Sequence, residues 1–134
     1  MIKPRFGILS IGLLTAFGAL MAFAASTNAA ETHSTVDRVY SSAETAEFKT
    51  LAKATIEALA SGKQSEMVAK LTDLETAWDG KETVLRPRDE ATWTLLDKTL
   101  DKAISALRSS HTDLSKGNAA LSDLLKLFDK ATKP

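Results

Sequence analysis

Between about residue 43 and residue 131, apolar side chains return at three- and four-residue steps in four successive segments. Because an α-helix turns once in about 3.6 residues, such a run lines up on one face. A chain built from four of these stripes has to bury them against one another. The first stripe is Phe48, Leu51, Ala52, Thr55, Ile56 and Leu59, predicting a helix over about 43–60. Ser61-Gly62-Lys63 ends it, with glycine suited to the left-handed capping conformation. The second, over about 64–85, carries Met67, Leu71, Leu74, Trp78 and Leu85. Gly80 lies inside it and weakens helix by about 1 kcal/mol relative to alanine. Arg86-Pro87-Arg88 closes it, since a residue before proline is pushed out of helical geometry.

The third stripe, over about 90–108, is Trp93, Leu96, Leu100, Ala103, Ile104 and Leu107. Asp89 stands ready as its N-cap, its carboxylate able to accept from unpaired first-turn amides. The fourth, over about 113–131, is Leu114, Leu121, Leu124, Leu125 and Phe128. Gly117-Asn118 is a possible early break, with a start near Asn118 as the alternative. Lys126, Lys130 and Lys133 suit the negative end of that helix. Short connections between the stripes predict an all-α fold: an antiparallel up-down four-helix bundle over residues 43–132, with three helices plus a variable fourth as the alternative. A stripe left uncovered would drive self-association, so monomer and homodimer both stand.

The N-terminal quarter has a different character. Lys3 and Arg5 precede an apolar run from Phe6 to Ala24, and Ala22 and Ala24 supply a small-x-small cleavage pattern. Positive, apolar, small is the order of a secretory leader, so residues 1–24 are expected to be a signal peptide. A retained anchor is the alternative, since a span needs roughly 20 apolar residues. Residues 25–42, rich in Ser, Thr, Ala and Asn, read as a flexible segment from which Val36, Val39 and Tyr40 can dock on the body. The expected location is the periplasm, with secretion to the medium as alternative, and no membrane span survives cleavage. With no cysteine in the chain, neither a lipoprotein anchor nor a disulfide is available, and stability has to come from packing.

Chemistry-bearing residues are sparse. Without Lys3 and Arg5 the chain keeps 15 basic against 17 acidic residues, which gives no electrostatic reason to bind nucleic acid. The nucleophile elbow, the zinc-protease helix and the phosphate-cradling glycine loop are all missing from the sequence, so a non-enzymatic role is expected. His33 falls in the N-terminal segment and His111 in a turn, which leaves a haem without axial ligands inside the bundle. No cofactor is expected, with a divalent cation as the alternative. That alternative rests on carboxylates. Asp97 and Asp101 are one turn apart and border the third stripe. Glu75, Asp79 and Glu82 border the second. If the borders face each other, Glu75, Glu82, Asp97 and Asp101 form a candidate site for a hard cation with oxygen ligands. A solvated edge, with Asp101 paired to a nearby Lys or Arg, is the competing reading. Trp78 and Trp93 are the candidate ligand-binding aromatics, and core packing is their competing reading.

Trp78-Asp79, Leu85, the Pro87 turn, Trp93, Asp97, Asp101 and Leu107-Arg108 form a series that resembles a recurring pattern in small exported bacterial helical proteins of unassigned role. The resemblance covers about 30 of 134 residues and implies a shared helical hairpin; no activity comes with it. The outline is also similar to periplasmic four-helix cytochromes, from which this chain departs in lacking the haem-ligand pattern. The expected function is therefore an exported binding or accessory protein acting on an envelope protein or a small ligand, with a metal-ion-binding bundle as alternative.

Overall fold

A computed structural model describes residues 38–134. The expected signal peptide, most of the 25–42 segment, Val36 and His33 lie outside the described residues. Within them the protein is all-helical, with α1 Ser42–Ala60, α2 Gln64–Asp79, α3 Glu82–Leu85, α4 Glu90–Arg108 and α5 Leu114–Ala131. Among the described residues no helix is long and apolar enough to cross a membrane.

Each long helix begins or ends on local chemistry that satisfies its orphan backbone groups. At the start of α1, Ser41 and Glu44 form a reciprocal capping box. Its end is a Schellman turn: the amide of Gly62 reaches the carbonyl of Leu59, and that of Lys63 the carbonyl of Ala58. Gly62 has φ 69° there, a left-handed conformation that explains the glycine. Asp89 caps α4 by accepting from the Thr92 amide at 3.0 Å. Asp113 caps α5 by accepting from the Lys116 amide at 2.9 Å.

The structure departs from the sequence reading at the end of the second helix and at Leu114, and at Gly117 it agrees with the continuous fourth helix over the alternative late start. The expected second helix is not continuous to Leu85. It stops at Asp79, and the four-residue α3 and a 3-10 turn, Arg86–Arg88, follow. The break falls at Gly80, where the loss of helix propensity is greatest. It turns the chain so that Leu85 is still buried. At the other glycine, α5 runs unbroken through Gly117, because this residue serves packing. A Cβ placed there would lie 2.2 Å from Leu107 Cδ2, so only glycine lets α5 approach α4 this closely. Leu114, assigned to the fourth stripe, is 50% exposed, since it opens the helix beyond the reach of the core.

α1 packs along α2 and α5, and α4 packs along α5, whereas α2 and α4 touch sparingly. The core unites Phe48, Met67, Leu71, Leu74, Trp78, Leu96, Leu121 and Phe128 with their neighbours. On α1 the innermost positions are Thr45, Phe48, Ala52, Thr55 and Ala58, with Leu51, Ile56 and Leu59 only partly buried beside them. Small side chains thus bring that helix close to its neighbours. The buried Thr55 hydroxyl donates to the Leu51 carbonyl at 2.8 Å, which removes the cost of burying it.

Tyr40 ties the entry of the chain to its exit. Its amide donates to the Ala131 carbonyl at 3.1 Å and its carbonyl accepts from the Lys133 amide at 2.8 Å. The Arg88 guanidinium lies over its ring, 5.6 Å from the centroid, and donates to Glu44 and to the Val39 carbonyl. The Tyr40 hydroxyl is buried with no hydrogen-bond partner among the described residues. Burial, with help from the Asp89 carboxylate, pushes its pKa up to about 12.

Gly117→Ala tests the close approach of α4 and α5. Despite alanine's better helix propensity, overpacking against Leu107 should lower stability by about 1–3 kcal/mol, read as a fall in the urea midpoint at unchanged m-value. An unchanged or raised midpoint would refute the packing account.

Candidate functional site

The sparing contact between α2 and α4 leaves a seam, and the borders of the two stripes meet along it. Glu75 and Asp79 come from the last turns of α2, Glu82 from α3, and Asp97 and Asp101 from successive turns of α4. Together with Trp93 they line a cleft of about 400 Å³. The sequence put Glu75, Glu82, Asp97 and Asp101 on the borders of their stripes and left open whether those borders face; in the structure all four, with Asp79, line one opening.

The bottom of the seam is aromatic. Trp78 and Trp93 stack with centroids 3.7 Å apart and planes within 6°. Phe48 and Phe128 meet the edge of Trp78 at 5.3 and 5.7 Å. Trp78 is 1% exposed and Trp93 3% exposed, so both belong to the core. Trp93 is the one that reaches the cleft wall. The indole N–H of Trp78 donates to Asp97 Oδ1 at 3.0 Å. This charge-assisted bond satisfies a buried donor and holds one cleft carboxylate in place.

Two arginines brace the rims. Arg108 donates to Glu75 Oε2 at 2.5 Å and to Thr72 Oγ1 at 2.8 Å, joining the far end of α4 to α2. Arg86 bridges Glu82 at 2.7 Å and Glu90 at 3.0 Å across the turn into α4. The sequence reading had noted neither role. The Arg108 partner depends on which helices become neighbours, whereas both Arg86 pairs are i,i+4 and were available from the spacing of Glu82 and Glu90. Asp101, for which pairing with a nearby Lys or Arg was the competing expectation, has no ion pair among the described residues, and neither has Asp79. Five carboxylates thus face two arginines around one opening. Partial burial and the negative charges of Glu75, Asp97, Glu82 and Asp101 raise the Asp79 pKa above its ordinary value.

The carboxylates line the cleft without converging on a point: among the described residues no group of three or more His, Cys, Asp or Glu side chains is gathered to hold a metal ion. What the arrangement offers is a negative, mainly polar opening backed by Trp93, Leu100 and Ile104, in which low-dielectric walls concentrate the field of fixed charges. No protein-family model, curated protein or solved structure is significantly similar to this chain. The site is therefore read from its own residues.

Asp97→Ala leaves the buried Trp78 N–H without its acceptor and should cost about 1–3 kcal/mol in urea unfolding. Asp97→Asn keeps an acceptor oxygen and should cost clearly less. Equal losses in the two variants would show that the bond contributes nothing.

The raised Asp79 pKa also fixes the sign of a pH effect. The folded state holds this proton more tightly than the unfolded chain, so stability from this group is present at low pH and is lost as pH rises through the raised value. Asp79→Asn should accordingly melt above the wild type at neutral pH. The two melting temperatures should converge as pH falls to the ordinary aspartate value of 3.8. A constant offset across that range would contradict the assignment.

Proposed function

We propose that the mature protein is an exported, periplasmic, non-enzymatic binding or accessory protein, folded as an antiparallel up-down four-helix bundle, that takes up a cationic group in the α2–α4 cleft. The observation that carries the reading is the crowding of five carboxylates over a stacked tryptophan pair, with Asp79 and Asp101 unneutralised. The α1–α2, α1–α5 and α4–α5 contacts support the bundle, and the leader at residues 1–24 supports export. A basic side chain of an envelope protein, or a small organic cation, matches the cleft in charge. Its methylenes would lie against Trp93 and Ile104 while its charged head meets the aspartates. Binding of this kind needs no catalytic group.

A divalent cation is the second reading, favoured by the same two unpaired aspartates. A hard ion can be held through one or two carboxylates and retained waters without a closed cage of protein ligands.

Titration at low ionic strength separates the two. Spermidine and an oligolysine peptide should quench or shift tryptophan fluorescence, and raising the salt should weaken both. The Asp79→Asn/Asp101→Asn double variant should lose most of the affinity. Calcium or manganese binding in preference to both organic probes would establish the second reading. Silence with every cation, or binding that the double variant leaves intact, would overturn the cleft as the site.

A further inference from the structure

A second depression lies between α4 and α5 and adjoins the acidic cleft at Asp101, which lines both. It has a volume of about 840 Å³. Its floor is Ser105 and Ala106 from α4 and Ala119 and Ala120 from α5, and Lys102, Lys116 and Asp123 stand on its rims. Nothing larger than serine rises from this floor, so a helix from outside can settle on it at short range.

The rim charges identify the helix that fits. Lys116 and Asp123 are seven residues apart on α5, two turns along one face, and they lie symmetrically about the Ala119–Ala120 bond. A second α5 laid antiparallel across that bond places Lys116 against Asp123 of the other copy, and Asp123 against Lys116, with alanine on alanine between them. A two-fold contact must be self-complementary in this way. α4 extends the match. It runs back along α5, with the Asp113 amide bonded to the Ala106 carbonyl at 2.8 Å. Lys102 therefore sits at the Asp123 end and meets the Asp113 end of the incoming helix. Lys102 has no carboxylate partner among the described residues. The present partners of the other two charges are exposed neighbours on the same helix: Asp113 for Lys116 at 3.0 Å and Lys126 for Asp123 at 3.2 Å. Such pairs contribute little and re-form at small cost.

We infer that the α4–α5 groove is the interface of a two-fold homodimer in which the α5 helix of each copy seats in the groove of the other. The contact is only one helix pair long, which suits the small interfaces, below about 1,200 Å², of weak complexes. The dimer is accordingly a weak and reversible one. The acidic cleft shares only Asp101 with this groove, and its other carboxylates, Glu75, Asp79, Glu82 and Asp97, lie outside the contact.

Sedimentation velocity on the purified protein across a wide concentration series tests this directly. The wild type should move from monomer to dimer as concentration rises. Lys116→Asp sets like charges against each other at both ends of the contact and should weaken association roughly tenfold or more. The charge-exchanged Lys116→Asp/Asp123→Lys variant restores opposite pairs and should recover dimerisation. Ala119→Arg, at an exposed position where folding is not at stake, should leave only monomer. A wild type monomeric at every concentration overturns the inference. So does a dimer indifferent to Ala119→Arg, or a charge exchange that fails to restore what Lys116→Asp removes.

Discussion

The hydrogen bond from the Trp78 indole to Asp97, with the Trp78–Trp93 stack beneath it, holds the seam along which α2 and α4 touch sparingly. α1 with α2, and α4 with α5, are joined along their lengths by apolar side chains. α2 and α4 carry acidic borders and would be driven apart by them. Coulomb repulsion between exposed carboxylates is modest in water but grows as the groups lose solvent. What opposes it is a large aromatic contact, about 0.5–1.5 kcal/mol beyond simple burial for a stacked pair, and one charge-assisted bond that turns a repelling carboxylate into an acceptor. Asp97 thus contributes to both sides of the balance: it adds negative charge to the cleft and anchors the floor.

The rims follow from the same constraint. A seam pinned only at its centre would splay at its ends, and each end carries an arginine. Arg108 reaches back from the last turn of α4 to Glu75 and Thr72 of α2. Arg86, in the turn that Gly80 and Pro87 create, joins Glu82 to Glu90. The arginines neutralise Glu75 and Glu82 and leave the middle of the opening to Asp79 and Asp101. The distribution of charge along the cleft is therefore a by-product of how the seam is closed.

The helices were legible in the sequence because burial imposes a period and caps are local. Asp89, Gly62 and the stripe of α4 are read directly from residue type and spacing. That Asp97 and Asp101, and Glu75 and Glu82, border their stripes was also accessible, since they sit at fixed angles from them; that the two borders face each other depends on how α2 and α4 pack and was not. Glycine was ambiguous. Gly80 and Gly117 look alike in a helical run, yet one breaks the helix and the other admits a neighbouring leucine. Only the position of Leu107 distinguishes them, and that is a tertiary fact. The same holds for Arg108, whose partner lies 33 residues away. Tyr40 was legible only as a residue able to dock. Its lock on Ala131 and Lys133 depends on where the chain ends meet.

α4 is the element on which these features converge. One flank supplies Trp93, Asp97 and Asp101 to the cleft, and the other supplies Lys102, Ser105 and Ala106 to the groove. Side chains at i, i+3 and i+4 share a face, so Asp97 and Asp101 stand together at the cleft, while Asp101, one turn before Ser105, also borders the groove and lies on the ridge between the two openings. A helix committed to the core on one stripe has two borders left. In this protein one border is acidic and repels its neighbour, while the other is small and admits one. The first leaves a gap that a cation would relieve; the second leaves a gap that a helix would fill. Both openings follow from a single choice, the placing of bulk on the inner stripe of α4 and charge or small side chains on either side of it.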